Sequence, residues 1–224
     1  EERFIDSSKI KTALSDWKFP LIFLDFETIN PAIPIFNGTS PFMQTPFQYS
    51  LHVVNSPEEF EAPKHKEFLF TESVDPRSAL IKKIIEDFKD YQKGSVVAYY
   101  SRFEAQCLQS LEDLTNDLDE KNSLKNIRER LVDPLPIFRE SVYDSKFGNS
   151  YSIKSVAPAI LGENFTYKNM IVSDGGSAQR AYQDIISNKL PKEIKDKLAK
   201  GLLEYCQKDT YVLVLLVKWL FQIK

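Results

Sequence analysis

Four consecutive apolar residues, Leu21-Ile22-Phe23-Leu24, run directly into Asp25-Phe26-Glu27-Thr28. A short unbroken apolar run reads as a strand buried on both faces, which belongs in the middle of a sheet covered by helices. Side chains alternate along a strand, so Asp25 and Glu27 leave it on the same side. Two carboxylates brought together there repel each other and lose hydration. A divalent cation relieves both penalties by taking oxygen ligands. Taken alone, the D-x-E is common by chance and reads more simply as a strand end that faces solvent.

The rest of the chain supplies the layers such a strand needs. Further strands are predicted over residues 47–54, 67–70 and 95–100, with a Pro- and Gly-punctuated loop from 30 to 46. Asp75-Pro76 reads as a helix start, Asp as N-cap and Pro in first place, continued by Leu80, Ile81, Ile84, Ile85 and Phe88 and closed by Gly94. Helices are expected over 103–114, 118–131, 152–161 (with Pro158 interrupting), 177–186 and 192–221. An edge strand near 132–138 is weakened by its two prolines. Asp174-Gly175-Gly176 reads as a turn before a helix. The order predicts an α/β fold, a mixed central sheet of about five strands flanked by helices.

Length and charge narrow the classes. The 224 residues, 42% hydrophobic with net charge −3, suit one large domain over 20–224. Residues 1–19 form a polar lead-in with an amphipathic piece around 10–14. No apolar run reaches the roughly 20 residues that span a bilayer. The start at Glu1, with neither Met nor an apolar leader, suggests a segment of a longer cytoplasmic protein with a further N-terminal region. Cys107 and Cys206 form no C-x-x-C pair and sit in apolar helical patterns. Buried reduced thiols are expected, and a zinc site built from cysteines is excluded. The charge carries no nucleic-acid footprint, yet carboxylates gathered around cations keep this balance too. There is no G-x-S-x-G, H-E-x-x-H or G-x-x-x-x-G-K, so triad hydrolases, zincins and P-loop NTPases fit poorly.

Two further segments carry acids in telling places. Tyr205 and Asp209, four apart in the last helix, share a face on which a phenol can hold water beside a carboxylate. A surface Asp beside a half-buried Tyr is the plainer reading. After the strand at Val96-Val97-Ala98 come Tyr99-Tyr100-Ser101-Arg102-Phe103-Glu104, which put an acid in a first helical turn. The helix dipole favours Glu104 there whatever its role. Asp133 is a spare acid best suited to a cap.

Together these segments resemble the DEDD, or DnaQ-like, 3′–5′ exonuclease superfamily, with its ribonuclease H-like fold. Asp25 and Glu27 match its first motif, Glu104 stands where the superfamily has Asp, and Tyr205 with Asp209 matches the tyrosine form of the third. The likeness spans roughly residues 20–220. D-F-E-T, Pro41-Phe42 through Pro46-Phe47-Gln48, Ser150-Tyr151-Ser152-Ile153-Lys154 and Y-C-x-x-D-T are more similar still to a bacterial domain of unknown function, often C-terminal to a RecB- or Cas4-like nuclease module.

The resemblance implies a hydrolase cutting phosphodiester bonds at single-stranded DNA or RNA 3′ ends, with Asp25, Glu27, Glu104 and Asp209 holding two Mg²⁺ or Mn²⁺ ions. Tyr205 would orient the attacking water. Two such ions, about 3.5–4 Å apart, clamp the attacking and leaving oxygens. Phe26, Thr28, Phe42, Tyr100, Arg102 and Lys154 are the candidate substrate contacts, with Lys168 a further phosphate candidate. A catalytically silent nucleic-acid-binding or scaffolding domain, and an endonuclease on the same fold, remain the alternatives.

Overall fold

A computed structural model describes residues 3–187 and 189–223. In chain order the strands are β1 (Phe4–Ile5), β2 (Leu21–Ile29), β3 (Thr45–Val54), β4 (Lys64–Leu69), β5 (Ser95–Val97), β6 (Leu131–Val132) and β7 (Val142–Tyr143). The α-helices are α1 (Ser7–Leu14), α2 (Arg77–Phe88), α3 (Arg102–Leu114), α4 (Leu118–Glu129), α5 (Pro134–Ser141), α6 (Ile153–Leu161), α7 (Gly175–Ile186) and α8 (Lys192–Gln222). Five strands make a mixed sheet in the order β4-β3-β2-β5-β6, so the apolar strand β2 lies at its centre as expected. β3 runs antiparallel to β2 and β4, while β5 runs parallel to β2 and β6.

The alternation of β2 builds both layers. Ile22, Leu24 and Phe26 pack with Leu80, Ile84 and Phe88 of α2, Leu108 and Leu111 of α3, and Leu124 of α4. Leu21 and Phe23 meet Leu213, Val214 and Val217 of α8 on the opposite face. Each such side chain contributes about 1.5–3 kcal/mol on burial, and a one-residue slip would exchange the two sets, so the register is strongly fixed. Asp25 and Glu27 continue the odd-numbered series. They are thereby delivered beneath α8.

A bulge between Glu27 and Thr28 leaves Phe47 without a partner on β2. The Phe47 ring lies flat on Tyr182 of α7, with centroids 3.7 Å apart. At Gly94 the backbone takes φ +92°, and a Cβ would lie 2.1 Å from the Pro20 carbonyl oxygen. Only glycine admits that approach to the start of β2.

Several local expectations are corrected. β5 ends at Val97, because the chain turns at Tyr100, where φ is +65°. Helix α2 starts at Arg77, with Pro76 before it, although Asp75 Oδ1 still accepts the Arg77 N–H at 3.0 Å. Over 132–138 the strand stops at Val132 and α5 takes over. Pro134 and Pro136 stand in the first turn of α5, where no intrahelical N–H is needed. The lead-in is tied to the body: Phe4 and Ile5 pair with Tyr143 and Val142, and Ile10 and Leu14 join a core with Phe138 and Leu216. Among the described residues no helix is long and apolar enough to cross a membrane.

Candidate metal centre

Three elements converge beneath α8. Asp25 and Glu27 come from β2, and Tyr205, Cys206 and Asp209 come from α8, the central helix of that layer. The Cys206 thiol faces Asp25, its Sγ 3.6 Å from Oδ2 and 3.7 Å from the carbonyl oxygen. Glu104 arrives from the first turn of α3 and is only 2% exposed. Asp133 aims that turn: Oδ1 accepts the Tyr100 N–H at 3.0 Å and Oδ2 the Ser101 N–H at 2.8 Å. The same Oδ1 accepts the Leu135 N–H that starts α5, so Asp133 is the cap its sequence position suggests. These bonds offset the cost, about 1–3 kcal/mol, of holding a non-glycine residue in the left-handed region.

The charges are mutually unfavourable. Asp25 is held well above the usual carboxylate range, first by burial and then by Asp209. Glu27 is held up by burial, Asp25 and Asp209, and Glu104 by burial and Asp25. Burial also raises Asp209, while the Tyr167 hydroxyl, Lys154, the Tyr205 hydroxyl and Lys208 pull it back. Both phenols are pushed far up, mainly by burial, and stay neutral. Glu104 Oε2 is buried without a hydrogen-bond partner among the described residues. An unpaired buried polar atom costs about 1–3 kcal/mol, and more when charged. The donor set therefore fits divalent cations, which take carboxylate oxygens and cancel the repulsion.

Lys154 lowers Asp25, Glu27 and Asp209 by its charge. Its ammonium donates to the Ser173 carbonyl at 2.8 Å and lies over the Tyr167 and Tyr205 rings, 5.2 and 5.0 Å from their centroids. Lys154 and Tyr167 also line a cavity of about 450 Å³ with Lys146 and Lys168.

The other candidate contacts divide. Phe42, 69% exposed, and Tyr100, 53% exposed, both hold positive φ and present open rings, and Arg102 is exposed. Phe26 is corrected, because its ring is buried in the core edge-on to Tyr49 and offers no face to a base. Thr28 is buried too. Its hydroxyl donates to Gln44 Oε1 at 2.5 Å and anchors the loop that carries Phe42. Sequence reasoning missed Tyr167, which lies between helices with no periodic signal. It also missed Cys206 as a site residue, although its spacing of three from Asp209 puts both on one helical face.

Fold and cluster together define an α/β domain with a buried carboxylate cluster between its central strand and its longest helix. The chain belongs to the family described as Domain of unknown function (DUF2779), whose profile matches residues 22–152 and so takes in Asp25, Glu27 and Glu104. It is also similar to Uncharacterized protein MG366 of Mycoplasma genitalium, 26% identical over 97% of this chain and 34% of that protein. The homologue in Mycoplasma pneumoniae is 27% identical over 92% of this chain and 33% of its own length. The chain thus spans about a third of these relatives.

Proposed function

We propose that this chain is a metal-dependent 3′–5′ exonuclease of the DEDD type on a ribonuclease H-like fold, acting on single-stranded DNA or RNA ends. The observation that carries the reading is the burial of Asp25 and Glu27 side by side, with Asp209 and Glu104 close enough to raise their pKa values and Glu104 Oε2 buried and unpartnered. The sheet order supports it, as does the delivery of the acids from the central strand, the helix after β5 and the last helix. Glu104 lies with Asp25, which favours catalysis over a silent scaffold.

Asp25, Glu27, Glu104 and Asp209 would hold two Mg²⁺ or Mn²⁺ ions, which supply positive charge at the scissile phosphate. The chain's own groups do the positioning. Tyr205, kept neutral by burial, offers its hydroxyl to orient the attacking water beside Asp209. Lys154 and Lys168 line the cavity that Tyr167 also borders and would draw phosphate oxygens there. Phe42 and Tyr100 offer rings on which unpaired bases stack. A RecB- or Cas4-like nuclease region would occupy part of the remaining length of the whole protein.

The test is digestion of a 5′-labelled single strand with Mn²⁺, beside EDTA and Asp25→Ala controls. A ladder of shortened products, absent from both controls, is the expected result. Cleavage of a circular strand would replace the exonuclease by an endonuclease. Absence of all cleavage with either ion, on DNA and on RNA, would overturn the catalytic reading of this chain.

A further inference from the structure

A structural cysteine ordinarily packs against hydrocarbon. Cys206 instead faces the carboxylates, and Asp25, Glu27 and Cys206 each bring one ligand atom within 4.8 Å of the other two. Its spacing suits a particular class of ion. Zinc bonds of about 2.3 Å to sulfur and about 2.0 Å to oxygen, at a tetrahedral angle, set the two ligand atoms about 3.5 Å apart. Cys206 Sγ and Asp25 Oδ2 are 3.6 Å apart already. The second, independent sign of a missing ligand is Glu104 Oε2, buried beside Asp25 with no partner.

We propose that Cys206 gives this site a second binding mode, in which a thiophilic divalent ion of the zinc class is held by Asp25, Glu27 and Cys206 and blocks the activity that Mg²⁺ or Mn²⁺ supports. The proposal rests on the reading of the carboxylate cluster as a metal centre. Magnesium demands oxygen ligands in octahedral geometry and gains nothing from sulfur, whereas thiolate selects zinc. On binding, the S–H bond breaks, a sulfur–metal bond forms and the proton passes to buffer. The cysteine spacing that excludes a zinc site built from several thiols says nothing against one thiol among carboxylates.

Cobalt(II) is the probe, because its absorption reports sulfur ligation without any turnover. The protein titrated with Co²⁺ should show a sulfur-to-cobalt charge-transfer band that is lost in Cys206→Ser, kept in Cys107→Ala and abolished by stoichiometric Zn²⁺. Zinc affinity should fall at least about tenfold in Cys206→Ser, in line with the cost of losing a metal-supporting group. Should that variant fail to fold, zinc quenching of the band in Cys107→Ala, where Cys206 is the one thiol left, decides the matter. Cobalt bound without a sulfur band overturns this proposal and leaves the oxygen-ligand site standing. Failure to bind Co²⁺ and Mn²⁺ alike overturns both.

Discussion

Buried carboxylates occur in two kinds of surroundings in this molecule. Asp87, on the α2 side of the sheet, is 4% exposed and fully engaged. Its Oδ2 accepts the Tyr49 hydroxyl at 2.7 Å, and its Oδ1 accepts from Lys83 at 3.0 Å and pairs with Lys66 at 3.6 Å. On the α8 side, Asp25, Glu27 and Asp209 share the charge of Lys154, whose ammonium is committed to the Ser173 carbonyl. One site is closed by protein groups and the other is left open. A chain able to satisfy Asp87 with two lysines and a phenol shows that its carboxylates need not be buried unpaired. The open cluster is the one that the proposed cations would satisfy.

The largest effect that tests this contrast is on activity. Asp25→Ala should lower Mn²⁺-dependent cleavage at least about a thousandfold, because several kcal/mol of transition-state stabilisation are lost at about 1.4 kcal/mol per factor of ten. Asp87→Asn should leave the cleavage rate of the folded protein within about threefold, its site lying on the other face of the sheet. Equal losses in both variants, measured by initial rates on a labelled strand, would erase the distinction.

Stability should separate the two sites by sign. In EDTA, Asp25→Asn removes a charge that is buried against Asp209, so the melting temperature should rise. Asp87→Asn removes charge-assisted hydrogen bonds worth about 1.5–3 kcal/mol, so it should fall. For a chain of this size each kcal/mol moves the midpoint by about 2–4 °C. Mn²⁺ should raise the midpoint of the Asp87→Asn protein and not that of Asp25→Asn. Calorimetry showing both substitutions destabilising without metal would mean that the cluster is satisfied after all.

The sequence made some of this contrast legible. Leu21-Ile22-Phe23-Leu24 placed β2 at the sheet centre, and strand alternation put Asp25 and Glu27 on one face before any tertiary contact was known. The helical spacing of Tyr205 and Asp209 was equally plain. What stayed hidden depends on contacts between distant segments. Asp133 and its three backbone donors aim Glu104, and nothing local at position 104 announces this. Phe26 is a stacking candidate by residue type and a core residue by pattern, and its even-numbered place on β2 turns it into the opposite core. The prolines at 134 and 136 were read as interruptions of a strand when they serve as the first turn of α5. Tyr167 reaches the site through the turn between α6 and α7, which carries no periodicity to follow.

The smallest effect lies in pH dependence, and it separates the cluster from a third buried polar group. Asp25, Glu27 and Glu104 have folded pKa values raised above the unfolded values of about 3.9 and 4.3, so the stability they contribute is complete below those values and is lost as pH rises through the folded ones. His52 works the other way. Burial, aided by His65, lowers it to about 3, while its Nδ1 is engaged with the Thr210 hydroxyl at 2.8 Å. Its contribution is present above the unfolded value of about 6.5 and is lost as pH falls toward the folded one. Melting temperatures recorded in EDTA should therefore decline on both sides of an intermediate pH. Saturating Mn²⁺ should flatten the alkaline decline, because the cation replaces the protons the cluster would keep, and should leave the acid decline unchanged. His52→Asn should soften the acid limb alone. If Mn²⁺ flattened both limbs or neither, the alkaline decline would not originate in the cluster, and the contrast between the closed and open carboxylates would lose its thermodynamic support.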